Sequence, residues 1–116
     1  KKALLKALED VQAMIGHMVG VAMESQENPK EIYKIGLNTS RLLMATGDLI
    51  IAWLLLRQAD IAQSKLANAG RDTEFYNGKI ASAKFFVRSV LPHISVERAV
   101  VESENGEIMN IAEAAF

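Results

Sequence analysis

The chain has 116 residues, half of them apolar and 23% charged, with 13 basic and 14 acidic side chains and no cysteine. That length accommodates one domain, 1–116, and an all-helical chain of this size can bury a core. The composition excludes a disordered polyelectrolyte, leaves no basic excess for nucleic acid, and removes disulfides, thiolate nucleophiles and thiolate metal sites.

The opening Lys1-Lys2-Ala3-Leu4 has the charge of a signal peptide, but Glu9 and Asp10 interrupt the apolar run before an h-region forms. No initiator methionine stands at position 1, which fits an excised domain or processing. A first helix is expected from Lys2 to Glu24. Leu4, Leu8, Val11, Ile15, Met18 and Ala22 follow the spacing of one helical face, and Lys6, Glu9 and Asp10 lie away from it. Gly16 and Gly20, four apart, are read as a helix-packing feature, and Met14, Met18 and Met23 as core filler or an adaptable binding surface.

Ser25 to Pro29 is a polar break in which Asn28 can cap the next helix and Pro29 fits its first turn. The second helix is expected from about Pro29 to Ala69. Ile35, Leu42, Leu49 and Leu56 recur every seven residues, with Ala45, Ala52 and Ala59 in complementary positions, a pattern suited to close antiparallel packing. Leu43, Ile50, Leu54 and Ile61 cover a further face, which predicts at least two flanking neighbours. A continuous helix of this length spans about 60 Å. A break near Gly36 to Ser40, or an overhang past the bundle, is therefore expected. The apolar run Leu49 to Leu56 is too short for a bilayer, which takes about 20 helical residues, and no membrane span is expected.

Asn68-Ala69-Gly70 is a stop signal, and Asp72 or Thr73 can cap a third helix whose inner face carries Tyr76, Ile80, Ala83, Val87, Val90 and Ile94. Pro92 should kink or end it near Leu91. A helical continuation through Val96 to Val101 is expected, then a break at Glu102 to Gly106 and a short last helix from Glu107 to Ala115. The fold class is all-α, an up-down bundle of three long helices plus a short C-terminal helix.

Little here carries chemistry. His17 and His93 lack metal-ligand spacing, and Glu-x-x-His, Gly-x-Gly-x-x-Gly, Walker A and Gly-x-Ser-x-Gly sequences are absent. Asp48, an acid at the edge of the most apolar stretch, marks either a functional site or an ion pair with Lys79, Lys84 or Arg88, with Arg41 as a weaker partner. Trp53 is a bundle residue or an interface anchor. Lys79, one turn after Phe75 and near Phe86 by helical spacing, is either a base or anion anchor, or an amphipathic stem packed over aromatics.

The block Phe75-Tyr76-Asn77-Gly78-Lys79, followed by Ala83, Phe85-Phe86 and Leu91-Pro92, puts three of the four phenylalanines into a dozen residues around Lys79. It resembles the F-Y-x-x-K-x-x-x-A-x-F-F...L-P signature of the helical domain at the C-terminal end of some bacterial acyl-CoA dehydrogenases. The long helix with Gly47, Trp53 and Arg57, and the ending Gly106 to Phe116, are similar to the family's corresponding segments. Asn77-Gly78 departs from it, standing where the family more often has helix formers.

The resemblance implies a parent enzyme that uses FAD to oxidise the α–β bond of an acyl-CoA thioester and passes electrons to an electron-transfer flavoprotein. It implies that the glutamate base and flavin-binding residues lie in preceding domains, so that no catalytic, cofactor or metal residue is expected here. In that context the Lys79 anion-anchor reading would concern CoA phosphates. This segment would pack on the dehydrogenase core, shape its substrate entrance or support contacts in a homo-oligomer, in the cytoplasm. Asp48, Trp53, Phe75, Tyr76, Lys79 and Phe86 are its structural or interface candidates. The alternative is a free-standing helical interaction module, with a peripheral membrane adaptor less suited to the even charge balance.

Overall fold

The computed structural model describes all residues, 1–116, and contains no strand. Three long helices, α1 (Lys2–Glu24), α2 (Ile32–Lys65) and α3 (Thr73–Ser89), are followed by α4 (His93–Ser103). Asn28 precedes a 3₁₀ turn with Pro29 at its first position, and its carbonyl accepts the Glu31 N–H at 3.0 Å, so the cap works through the backbone. The expected break near Gly36 to Ser40 does not occur: α2 is continuous for 34 residues against 23 in α1, so about its last third overhangs α1. Asn77-Gly78 is likewise carried inside α3 without interruption.

The seam of α2 is its alanines. Ala45 and Ala52 are almost wholly buried in a cluster with Ala7, Val11 and Met14 of α1 and Ile94 and Val101 of α4. Small side chains let α1 and α4 approach closely, and the heptad leucines Leu42 and Leu49 flank that contact. Asn38, one heptad before Ala45, is also buried, and its amide donates to the Lys34 carbonyl at 3.1 Å.

The helical stripe expected to face inward on α1 is rotated in the structure. Ala7, Asp10, Val11, Met14 and Val21 are buried, whereas Leu8 and Ile15 are exposed. α1 is apolar over more than half its circumference, and α4 takes the flank that carries Asp10, which turns Leu8 and Ile15 outward.

α3 ends at Ser89, where the Val90 and Leu91 amides both donate to the Phe86 carbonyl. Pro92 disfavours helical backbone at the residue before it, so the chain turns and restarts as α4. The segment expected as a last helix forms two 3₁₀ turns instead, Glu107–Asn110 and Glu113–Ala115. Gly106 precedes them with φ +73°, and the Lys34 side chain lies 3.6 Å from where its Cβ would stand. That left-handed residue breaks any helical continuation from α4.

The molecule is long and thin, with extents of 68 × 30 × 15 Å and a radius of gyration of 19.7 Å, against about 13 Å for a compact chain of this length. α1, α4 and the first half of α2 form a three-helix body. Beyond Ala52, α2 keeps α3 as its one extended helical neighbour.

Candidate functional site: an uncovered apolar face

The exposed surface is 8231 Å², where a compact monomer of 12.7 kDa exposes about 6,200 Å². Much of the excess is apolar. On α1, Leu5, Leu8, Ile15, Val19 and Met23 are all 40% or more exposed, and by helical spacing they share one side. On α2, Leu43, Ile50, Leu54 and Ile61 lie on the far side from Ala45 and Ala52, with exposures from 44% to 69%. α2 has the two or more neighbours expected, in α1, α3 and α4, and Ile61 borders α3, but Leu43, Ile50 and Leu54 stay exposed. α4 packs against both helices at their shared core, and the two stripes are the uncovered sides of α1 and of α2. Between Leu43 and Leu54 the only charge is Asp48, which turns toward α4 and off this face.

The named candidates fall in two places. Asp48 is half-buried beside a groove of about 360 Å³ between α2 and α4, with Arg41, His93 and Glu97. It forms no ion pair. Arg41 bonds Glu97 at 2.7 Å, and Lys79 sits against Gln58 to Ala62, ten or more residues along α2. Lys84 and Arg88 are exposed on α3. The expected pairing therefore fails on position along the helix.

Phe75, Tyr76 and Lys79 line a smaller cavity of about 170 Å³ with Ile61 and Ala62. The Lys79 ammonium lies 5.3 Å from the Phe75 ring centre, and Phe75 meets Tyr76 edge to face at 5.6 Å. Lys79 thus has the geometry of an amphipathic side chain over an aromatic ring. Trp53, 48% exposed, carries the Arg57 guanidinium 5.3 Å above its ring. Phe86 is half-buried and packs against the core. The structure brings Phe75, Tyr76 and Lys79 together and leaves Asp48, Trp53 and Phe86 apart.

Neither cavity has the donor set of a flavin dinucleotide site. The first is bordered by the carboxylates Asp48 and Glu97 with Arg41 already engaged, and the second offers Lys79 alone among apolar walls. These residues do not fit a pyrophosphate, which needs converging N–H donors.

The buried charge is Asp10, not Asp48. Its carboxylate is inaccessible to solvent and accepts hydrogen bonds from Lys6, from Ser95 and, at 3.0 Å, from the Arg98 guanidinium. Burial pushes its pKa up, but the bonds from Lys6, Ser95 and Arg98 outweigh that and hold it below the ordinary aspartate value. Arg98 also bonds Glu102 at 2.8 Å, so one cluster ties α1 to α4. In the sequence Lys6 and Asp10 lie away from the inner stripe, and nothing local pointed to Ser95 and Arg98.

Comparison with known proteins now places the chain. Residues 1–112 match the family described as acetyl-CoA dehydrogenase C-terminal like. The chain belongs to that family. It is 44% identical, over its whole length, to a broad-specificity linear acyl-CoA dehydrogenase of Mycobacterium tuberculosis, of which the match covers 20%. Two butyryl-CoA dehydrogenases of Syntrophomonas wolfei are 34% and 37% identical over 71% and 62% of the chain, and 14% and 12% of their own lengths. The chain thus spans about a fifth or less of the curated relatives it matches.

Within this family the uncovered face acquires a context. The stretch Pro29–Asn68 is long and apolar enough to cross a membrane by length and composition. Its inner seam, however, is already packed on α1 and α4, as in the core helix of a helical domain.

Proposed function

We infer that these residues form the C-terminal helical domain of an FAD-dependent acyl-CoA dehydrogenase, and that the uncovered apolar sides of α1 and α2 dock on the preceding dehydrogenase domains of the same polypeptide. One observation carries the reading: a family member matching a small fraction of its relatives' length exposes about 2,000 Å² more surface than a compact chain, with large apolar side chains of both α1 and α2 left uncovered. That excess exceeds the roughly 800 Å² per partner of an ordinary stable interface.

The parent enzyme would oxidise the α–β bond of an acyl-CoA and hand electrons to an electron-transfer flavoprotein in the cytoplasm. This segment serves packing, the substrate entrance or contacts in a homo-oligomer, and supplies no catalytic side chain. The up-down bundle is completed by the docked domains, with the 3₁₀ turns of Glu107–Ala115 as the terminal element.

Two measurements on the full-length protein test this. Its visible spectrum should show flavin that bleaches with an acyl-CoA. Leu54→Glu, which places a carboxylate on the docking face, should detach the domain and raise its proteolytic sensitivity at least tenfold. A colourless full-length protein, or one whose Leu54→Glu variant keeps wild-type protease resistance, rejects the reading. A colourless protein of about 12.7 kDa would favour a free-standing helical interaction module.

A further inference from the structure

Every acid of this chain that is at least partly buried has a partner, with one exception. Asp10 is bonded by Lys6, Ser95 and Arg98. Glu31 pairs with Lys34 at 2.6 Å, Glu97 pairs with Arg41 at 2.7 Å, and Glu104 accepts the Gly106 N–H at 2.9 Å. Asp48 is the exception: half-buried, at the edge of the most apolar stretch of α2, it joins none of the ion pairs. A carboxylate held partly out of water gains from any cation that reaches it.

The space beside it is of a size to admit one. Asp48 borders the groove of about 360 Å³ between α2 and α4, and small-molecule sites run from roughly 300 to 1,000 Å³. The apolar lining includes Ala45 and Ile94, only 2% and 1% exposed, and Met44, which is 67% exposed. Arg41 and Glu97 neutralise each other, so with histidine neutral the groove carries one uncompensated negative charge, at Asp48. An anion would meet two carboxylates and an arginine already engaged. A metal ion lacks a cage, because no three His, Asp or Glu side chains converge. What suits a lone carboxylate beside carbon walls is a cation that carries a carbon chain.

We propose that this groove binds a small primary alkylammonium ion, its ammonium on the Asp48 carboxylate and its chain along Met44, Ala45 and Ile94. An ammonium has three N–H donors, and the Ser40 hydroxyl and the neutral His93 imidazole, which also border the groove, are acceptors for those that Asp48 does not take. One charge-assisted hydrogen bond and a short buried chain give binding in the millimolar range.

Saturation-transfer NMR on the full-length protein tests this, with n-pentylammonium chloride as the probe and 1-pentanol as its uncharged counterpart. The expected result is a saturable signal from the ammonium that an equal concentration of the alcohol does not displace. Asp48→Asn keeps the shape of the side chain and removes its charge, and should weaken binding at least about tenfold. Met44→Lys places a tethered ammonium one helical turn from Asp48 at an exposed position, and should weaken the probe by a similar factor through competition. It decides the matter should Asp48→Asn fail to fold. A signal that does not saturate in the wild type, displacement by the alcohol, or unchanged binding in either folded variant overturns the proposal.

Discussion

The body and the arm of this molecule are built from the same residue types and differ in how many helices meet. In the body, α1, α4 and the first half of α2 surround Met14, Ile94 and Val101, each 1% exposed or less. In the arm, residues 53–84, the only buried side chains are Ala62 and Ala83, and Trp53, Leu54, Ile61 and Phe75 stay 44% to 61% exposed. Two helices share one line of contact, whereas three enclose a volume. A side chain larger than alanine is fully buried only where a third helix closes the gap. The body closes a core of its own, and the arm leaves its larger apolar side chains at the surface.

The sharpest way to break that contrast is to open a cavity in the body. Met14→Ala removes a side chain with no solvent exposure from the centre of the three-helix cluster. The expected cost is about 3 kcal/mol, from lost burial and an incompletely collapsed void. Chemical denaturation of wild type and variant measures it. A loss under about 1 kcal/mol would mean that the body is packed as loosely as the arm.

Asp10 tests the same region through its electrostatics. Asp10→Ala leaves Ser95 without its acceptor and Arg98 with Glu102 alone, and should cost about 2–3 kcal/mol, limited because Lys6 and Arg98 are partly solvated. The pKa of Asp10 is lowered in the fold, so its contribution is fully present above the ordinary value of 3.8 and is lost as pH falls through the lower folded value. Wild type should therefore lose stability more steeply than Asp10→Ala as the pH drops below about 4. Parallel pH profiles for the two proteins would refute the assignment.

Hydrogen exchange then compares the regions directly. Amides in residues 53–84 should exchange at least tenfold faster than those of α1 and α4 in the isolated segment, since fewer buried contacts must break to open them. Uniform protection along α2 would show that α3 alone suffices to hold it.

What was legible in the sequence divides along the same line. Heptad leucines and alanines fixed α2 and its seam, because a seven-residue repeat is a local pattern with one geometric meaning. The inner stripe of α1 was misread at Leu8 and Ile15, since a helix apolar on two sides does not say which side its own chain will cover. Asp48 attracted attention by its apolar neighbours in sequence, yet it turns toward a groove beside α4. Asp10 passed as a surface acid because its decisive partners, Ser95 and Arg98, are 85 and 88 residues away. The aromatic block marked the family correctly, and its Phe75, Tyr76 and Lys79 do meet, as a surface cluster against α2.

The smallest expected effect is the most discriminating. Phe75 is 61% exposed; it meets the edge of Tyr76 and the ammonium of Lys79 and borders an open cavity with Ile61 and Ala62. Phe75→Ala in the isolated segment should therefore change stability by less than about 0.5 kcal/mol, a value typical of surface positions. The same substitution in the full-length protein costs more if the arm is covered there, because the ring would then be buried against its partner. A thermal denaturation pair, segment and full-length, reads the difference. Equal small shifts in both would mean that Phe75 faces solvent in the full-length protein as well, and that any partner of the arm leaves this end of α3 uncovered.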